Sequence, residues 1–404
     1  MIKTGIQALD DYLKGGIPIG KTLVYFSEYG ALGDVFCAQT VHASLVNNCV
    51  CYYVATSSFP DVARDAFREY GWELAPYMSQ FAIVDGYSAL IGVPSKEQFV
   101  ISDPGNIDSV DESISHIIGI LSPGDMIVFP SLASIFDNCR NAQTSDMEIL
   151  ERVKSWNKMA VLNGGVVLYS FTDRNYGSGL VDQIKNGLCN ATVLIGSSPE
   201  KYLYGDYFRL QMCDWTDPPE WPTLFKIMKP GGVWVYIPKV LVTGPRGSGK
   251  TTFVRTASTL SSGKYVSVDR QSKDHVSTTV AVDYAHLSLY GFSVDLFGTP
   301  GQSRFSPLVK TLARDAMGVI LIVDSTDTEG LDRAVEIIRM VCGKKTPYIV
   351  VANKQDVGDA MEPGQIRKKM GVPADVPVIG ASALDPASVL QVMGSLIDMM
   401  AGGR

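Results

Sequence analysis

The stretch that decides the fold of this chain is Gly244-Pro245-Arg246-Gly247-Ser248-Gly249-Lys250-Thr251. It follows the apolar run Val240-Leu241-Val242, which is typical of a short β-strand, and it precedes residues 252–255, which can continue as a helix. The pattern G-x-x-x-x-G-K-[ST] between a strand and a helix predicts a loop whose backbone N–H groups surround phosphate oxygens. In such a loop the lysine reaches the β- and γ-phosphates, and the hydroxyl residue ligates Mg²⁺. The predicted phosphate contacts are Gly244, Gly247, Ser248, Gly249, Lys250, Thr251 and Thr252.

A second motif indicates which base the nucleotide carries. The apolar run at 348–351 predicts a buried strand, and it leads into Asn353-Lys354-Gln355-Asp356. The carboxylate of Asp356 can accept hydrogen bonds from both N1–H and the N2 amino group of guanine, whereas it would face the lone pair of adenine N1. Farther along, the strand-like run at 378–380 precedes Ser382-Ala383, whose backbone N–H can meet guanine O6. We therefore expect GTP and GDP as ligands, with the base contacted by Asn353, Lys354, Asp356, Ser382 and Ala383.

Residues 239–404 carry these motifs in order, and they resemble the Ras/Arf superfamily of small GTPases. The stretch Ala352-Asn353-Lys354-Gln355-Asp356 is particularly similar to the Arf branch. Residues 297–305 match the second switch of the family, and the resemblance implies that Gln302 orients the attacking water and that Gly301 N–H contacts the γ-phosphate. It also implies that Thr279 is the first-switch threonine that closes on Mg²⁺.

Two positions depart from the family pattern. Gly298 stands where the family has the aspartate that reaches Mg²⁺ through water, a loss similar to that of the bacterial MglA-type GTPases. The candidate replacements are Asp283 and Asp295. Arg246 stands where most relatives have a small residue near the γ-phosphate. Three roles are open for it: an arginine finger that stabilises transition-state charge, a steric block that slows hydrolysis, or a side chain that points to solvent.

The amino-terminal part shows the outline of a second nucleotide-binding fold. Thr4-Gly5-Ile6, the glycine-rich turn at 15–20 and the strand-like run at 22–26 resemble the entry of KaiC-type RecA-like ATPases. The phosphate lysine of that family falls on Gly33, and its Mg²⁺-binding hydroxyl falls on Asp34, whose carboxylate repels phosphate. Ser57-Ser58 occupies the place of an acidic pair, and Pro130 stands in place of the Walker B aspartate. We therefore expect a pseudo-ATPase that keeps the fold without its catalytic groups.

Length and charge indicate two domains. With 404 residues we predict an α/β protein of two P-loop-NTPase-type domains, residues 1–236 and 237–404, each with a mostly parallel sheet flanked by helices. The first has 16 Lys and Arg against 26 Asp and Glu, a net charge of −10, while the second has 19 against 16, a net charge of +3. This balance argues against a protein that binds nucleic acid through bulk positive charge.

The sequence carries no recognisable targeting signal. No apolar run is long enough to span a bilayer, and the amino terminus has no signal-peptide layout. The sequence shows neither a Met-Gly start nor a prenylation cysteine at its end, so we expect no direct membrane anchor. The expected location is therefore the cytoplasm.

Two functions from different classes fit these observations. The first is a regulatory GTPase that binds and slowly hydrolyses GTP and couples its nucleotide state to the degenerate RecA-like domain, a platform for partner binding or assembly. The second is a scaffold that GTP stabilises without turnover. Retention of Lys250, Thr251, Thr279 and Gln302 favours the first. The expected partners are a protein effector or regulator and a second copy of the chain, bound through the RecA-like domain.

Overall fold

Two mostly parallel β-sheets organise the chain in the computed structural model. The structure describes residues 1–28, 33–140, 144–198, 205–219, 222–260, 265–268, 282–289, 292–342 and 346–400. The chain divides into two compact units, and the main division lies between Tyr236 and Ile237. The prediction of two α/β units with sheets flanked by helices is confirmed. Within the described residues, none of the helices is long and apolar enough to cross a membrane.

The first unit is built on a sheet with the strand order β10-β9-β8-β7-β1-β6-β5-β2-β3-β4. The strands are β1 (Thr22–Ser27), β2 (Cys51–Ala55), β3 (Phe81–Asp85), β4 (Phe99–Val100), β5 (Met126–Phe129), β6 (Val166–Thr172), β7 (Ala191–Ser198), β8 (Gly205–Cys213), β9 (Thr223–Met228) and β10 (Gly232–Val235). The helices are α1 (Gln7–Tyr12), α2 (Gly33–Val46), α3 (Pro60–Glu69), α4 (Ile107–Gly119), α5 (Leu132–Arg140), α6 (Asp146–Leu162) and α7 (Ser178–Gly187). The strands from β7 to β4 pair in parallel, whereas β9 pairs antiparallel with β8 and β10.

Helices cover both faces of this sheet, which explains why its central strands are continuous apolar runs. In β1, Leu23 and Tyr25 pack into a core that includes residues of α2. Val24 and Phe26 point to the opposite face and pack with residues of α4, α5 and α6. The period-two alternation of a strand thus divides one apolar run between two cores.

The second unit is built on a smaller sheet with the order β12-β13-β14-β11-β15-β16-β17. The strands are β11 (Lys239–Thr243), β12 (Tyr265–Val268), β13 (Val282–Leu289), β14 (Phe292–Gly298), β15 (Gly318–Asp324), β16 (Tyr348–Asn353) and β17 (Val378–Gly380). The helices are α8 (Lys250–Ser258), α9 (Ser306–Ala313), α10 (Gly330–Val341), α11 (Pro363–Met370) and α12 (Pro386–Met400). β13 runs antiparallel to β12 and β14, and the other pairs are parallel.

The parallel strands of the second unit end at one edge of the sheet. Alternate residues of β15, Val319, Leu321 and Val323, pack with α10 and α11 on one face, and α8 and α12 cover the other. The loops that follow β11, β15, β16 and β17 therefore come together at the carboxyl edge, where open α/β sheets bind their ligands. Both predicted nucleotide motifs lie in these loops.

Candidate functional site

The loop between β11 and α8 has the backbone of a phosphate-binding loop. Gly244, Gly247 and Gly249 have φ values of 148°, 79° and 98°, a region that favours glycine. A Cβ on Gly244 would lie 2.0 Å from the carbonyl oxygen of Ile322, and one on Gly249 would lie 2.2 Å from Nδ2 of Asn353. The glycines therefore let the loop curl tightly between β15 and the motif that follows β16.

Lys250 is buried inside this loop. Its Nζ donates a hydrogen bond to the carbonyl oxygen of Pro245 at 2.5 Å, and Ser248 Oγ donates to the same oxygen at 3.0 Å. Burial lowers the pKa of Lys250 to about 8, although the nearby Asp283 carboxylate opposes this shift. The structure thus places a lysine whose protonation is sensitive near neutral pH at the predicted phosphate position.

The two candidate replacements for the missing aspartate have different surroundings. Thr251 Oγ1 donates a hydrogen bond to Asp283 Oδ2 at 2.6 Å. Asp283 is buried and pairs in register with Gly298 on the neighbouring strand. A Cβ on Gly298 would lie 3.0 Å from Asp283 Cβ and 3.3 Å from Oδ2. The carboxylate of Asp283 therefore occupies the space that a side chain at 298 would enter.

Asp295, by contrast, is held away from the phosphate loop. Its Oδ1 accepts a hydrogen bond from Tyr284 Oη at 3.0 Å and lies 2.9 Å from His286 Nδ1. Asp295 and His286 face each other across the β13–β14 pair. Of the two candidates, only Asp283 is hydrogen-bonded to the threonine that is predicted to ligate Mg²⁺.

The side chains around Thr251 fit a magnesium ion. Mg²⁺ prefers oxygen ligands and is usually held by one or two protein groups together with phosphates and waters, not by a cage of side chains. The Thr251 hydroxyl and the Asp283 carboxylate supply such oxygens side by side. Accordingly, the described part of the chain holds no cluster of three or more His, Cys, Asp or Glu residues that could bind a metal by itself. Thr279, the predicted first-switch ligand, lies outside the described residues.

Asn353 connects the phosphate loop to the loop after β17. Its Nδ2 donates a hydrogen bond to Ser248 O at 2.7 Å, and its Oδ1 accepts one from Ala383 N at 2.8 Å. Thr256 Oγ1 on α8 donates to Ala383 O at 2.7 Å and holds the same loop from the other side. Three loops that are distant in sequence are therefore joined around one cavity.

That cavity has the predicted base-binding residues in its wall. It has a volume of about 190 Å³ and is lined by Gly249, Thr252, Asn353, Lys354, Asp356, Val357, Ser382, Ala383 and Leu384. The carboxylate of Asp356 is exposed and makes no hydrogen bond with any residue that the structure describes. Both of its oxygens are available to the N–H groups of a guanine base.

Of the predicted catalytic residues, Arg246 is part of the phosphate loop, and Gln302 follows a glycine that packs against it. A Cβ on Gly301 would lie 2.7 Å from Arg246 N and 2.8 Å from Lys250 Nζ, so the backbone at 301 lies directly against the loop. The next residue, Gln302, is half-buried. Arg246 is exposed, and its side chain forms no hydrogen bond or ion pair within the described ranges. The structure thus places the backbone just before Gln302 against the loop that contains Arg246.

Sequence reasoning missed two residues that shape the site. Thr256 lies one helical turn beyond Thr252, but no local pattern links it to Ala383, which is 127 positions away. Asp324, the last residue of β15, contacts Lys354, which is 30 positions away. The parallel β15–β16 pairing places Asp324 beside Asn353, and this pairing cannot be read from the neighbouring residues.

In the first unit, a neighbouring side chain crowds the position that corresponds to the phosphate-binding lysine. Gly33, at the expected lysine position, begins α2, and a Cβ on it would lie 1.7 Å from Ser27 Oγ. Ser27 Oγ is buried and finds no hydrogen-bond partner among the described residues. Asp34 follows in the first turn of α2, and Pro130 directly follows β5. Ser27 therefore fills the space in which a longer side chain at position 33 would begin.

Comparison with known proteins assigns the two parts of the chain separately. Residues 227–398 match the ADP-ribosylation factor family, and residues 2–162 match the KaiC ATPase family. An uncharacterized protein of Methanocaldococcus jannaschii is 31% identical over 123 residues, 30% of this chain and 72% of that protein. The human ADP-ribosylation factor-like protein 4C is 30% identical over 91 residues, which cover 22% of this chain and 47% of that protein.

A solved structure, that of a KaiC-like protein from the archaeon Pyrococcus horikoshii OT3, is 20% identical with a TM-score of 0.47, and the match covers 58% of this chain and 98% of that one. The two resemblances drawn from the sequence motifs are thus confirmed by the family matches. Residues 2–162 thus form a KaiC-type ATPase domain, and residues 227–398 form an ADP-ribosylation factor family domain.

Proposed function

We propose that this protein is a regulatory GTPase: its second unit binds GTP or GDP with Mg²⁺ and slowly hydrolyses GTP, and its nucleotide state controls the first unit. The observation that carries the proposal is the pair of hydrogen bonds from Asn353, which join the phosphate loop and the Ala383 loop around one cavity. Asp356 in the wall of that cavity supplies the acceptor pair that selects guanine. The match of residues 227–398 to the ADP-ribosylation factor family supports the same ligand.

The preference for guanine is tested by replacing the carboxylate that accepts its two hydrogen bonds. Asp356→Asn should weaken GTP binding and favour xanthosine triphosphate, because xanthine has an oxygen where guanine has its amino group. Binding is measured by calorimetry with both nucleotides, and Asp359→Asn, an exposed aspartate three residues away, serves as the matched control. Undiminished GTP affinity in Asp356→Asn would refute the assignment.

Lys250→Ala should abolish nucleotide binding by the whole chain, since we assign no nucleotide to the first unit.

For hydrolysis, we assign Gln302 to the attacking water and Arg246 to charge that develops on the γ-phosphate. The Arg246 side chain is exposed and forms no hydrogen bond or ion pair with the described residues, so no such contact ties it away from a bound phosphate. Arg246→Ala should slow single-turnover phosphate release while GTP affinity stays nearly intact. Faster release would identify Arg246 as a steric brake. A wild-type protein that binds GTP without releasing phosphate would identify the alternative function, a GTP-stabilised scaffold.

For the metal, Thr251 would hold Mg²⁺ directly, and Asp283 would orient the metal-bound water in place of the missing carboxylate at 298. Bound Mg²⁺ would neutralise phosphate charge. The protein's contribution is the 2.6 Å hydrogen bond that fixes Thr251 Oγ1 against a buried carboxylate. The carboxylate can come from β13 and not from position 298 on β14, because the glycine at 298 leaves room for the Asp283 side chain.

We propose that the first unit is a pseudo-ATPase that serves as a platform for a protein partner or for a second copy of the chain. Support comes from the close approach between Ser27 and position 33 and from the acidic Asp34. A domain of this kind would transmit the nucleotide state of the second unit to whatever binds the first. Pull-down with the protein loaded with a GTP analogue, compared with GDP, tests whether a partner distinguishes the two states.

A further inference from the structure

Lys354 has an unusual backbone conformation inside the base-binding motif. Its φ is 68°, in the left-handed region that residues with a Cβ rarely adopt. Such a conformation persists only where surrounding contacts hold it, and it is frequent at ligand-binding sites. The contacts that hold Lys354 therefore bear on how the motif presents Asn353 and Asp356 to a base.

Asp324 at the end of β15 is the partner that holds the Lys354 side chain. Lys354 Nζ donates a hydrogen bond to Asp324 Oδ2, while Oδ1 accepts from Thr326 N at 3.0 Å and from Thr326 Oγ1 at 2.8 Å. The Asp324 side chain is only 15% exposed. Although burial acts to raise the pKa of Asp324, the hydrogen bonds from Lys354 and Thr326 lower it below its ordinary value, so the carboxylate is charged at neutral pH.

Further hydrogen bonds connect the end of β15 to the base-binding motif at residues 353–356. Ser325 N donates to Asn353 O at 3.1 Å, and Gln355 Nε2 donates to Ser325 Oγ at 2.9 Å. Asp324 and Asn353 are also register partners in the parallel β15–β16 pair. Asp324 and Ser325, at the end of β15, are thus bonded to three consecutive residues of the base-binding motif, and the Asp324–Lys354 hydrogen bond is the charged one of these contacts.

We propose that Asp324 is a positioning residue for guanine nucleotides: by holding Lys354, it fixes the loop that presents Asn353 and Asp356 and so sets how long GDP remains bound. This inference rests on the proposed function. Asp324 lines no part of the base cavity, and it acts through Lys354, which does. A charge-assisted hydrogen bond between partly buried groups is strong enough to hold a loop in one conformation.

The test measures release of fluorescently labelled GDP from the full-length protein. Asp324→Asn removes the charge with little change in shape and should accelerate release about tenfold, as expected for loss of a charged hydrogen bond. Asp324→Glu keeps the charge and should restore part of the wild-type lifetime. Asp327→Asn is the matched control: it lies in the same turn, but its carboxylate accepts from Glu329 N and Gly330 N, and its release rate should stay within about twofold of wild type.

A purely structural role is distinguished by thermal unfolding in a Lys250→Ala background, where no nucleotide contributes to stability. There Asp324→Asn should still unfold in one cooperative transition well above the temperature of the release assay, so that faster release cannot result from unfolding. GDP release at the wild-type rate, or unfolding of Asp324→Asn at the assay temperature, would overturn the positioning role. If the wild-type protein binds no GDP at all, the proposed function itself fails, so the two failures are distinct.

Discussion

Lys250 is a buried lysine, and it must be protonated to bind the phosphates of the predicted nucleotide. Because burial lowers its pKa to about 8, the free protein loses the ammonium proton as the pH rises from 7 to 9. Phosphate binding needs the protonated form, so binding takes up a proton at high pH and weakens. We expect GDP affinity, measured by calorimetry, to fall about tenfold between pH 7 and pH 9.

Lys250→Arg is the control for this pH dependence. The guanidinium stays charged throughout this range, so the affinity of the variant, although weaker, should change less than about twofold between pH 7 and pH 9. An equally flat profile for the wild-type protein would contradict the role of Lys250. An equally steep profile for Lys250→Arg would assign the titration to another group.

The roles of Asp283 and Asp295 can be compared by making the same substitution at each position. Asp283→Asn should raise the Mg²⁺ concentration needed to slow GDP release by about tenfold or more, because groups that orient metal ligands typically contribute that much to metal affinity. Asp295→Asn should leave this requirement unchanged, since Asp295 is bonded to Tyr284 and His286. The measurement is a titration of GDP release rates with Mg²⁺ in an EDTA-buffered solution. The opposite ranking of the two variants would place the metal-positioning carboxylate on Asp295.

The close contact between the end of β1 and the start of α2 predicts how a substitution at position 33 affects stability. A Cβ at position 33 collides with Ser27 Oγ, so Gly33→Ala should lower the free energy of unfolding by about 1–3 kcal/mol. In a Ser27→Gly background the same change should be nearly neutral, because the colliding atom is gone. Gly119→Ala is the control, since a Cβ there meets no other atom within 4 Å. All five tryptophans lie in residues 1–236, so denaturation followed by their emission reports on the first unit.

If Gly33→Ala is equally destabilising in both backgrounds, the strand–helix junction is not closed by Ser27. In that case the only argument against phosphate binding at this junction would be that residue 33 is not a lysine and residue 34 is acidic.

For the whole molecule, the proposed coupling predicts a signal that passes from one unit to the other. The tryptophans belong to residues 1–236, and the GTP motifs belong to residues 237–404. Replacing GDP by a non-hydrolysable GTP analogue should therefore change tryptophan emission only if the first unit responds to the second. We expect a change in the wild-type protein and none in Lys250→Ala. Identical spectra with both nucleotides demonstrably bound would show that the units act independently.

The sequence by itself determined the features that depend on neighbouring residues. The spacing of Gly244, Gly249 and Lys250 after an apolar strand was enough to predict a phosphate loop, because the positive φ angles of its glycines are a property of the local backbone. In the same way, Asp356 and its position after a buried strand predicted the base-binding motif. The apolar runs also located the central strands, since a sheet covered on both faces buries every residue of its strands.

The tertiary structure decided everything that depends on which distant residues meet. Asp283 and Asp295 could not be ranked from the sequence, because the antiparallel β13–β14 register is what sets Asp283 opposite Gly298 and beside Thr251. Likewise, the bond between Asp324 and Lys354 joins residues 30 positions apart. Strand pairing and helix packing create such contacts, and the free energy that selects them is spread over the whole core, so no local pattern records them.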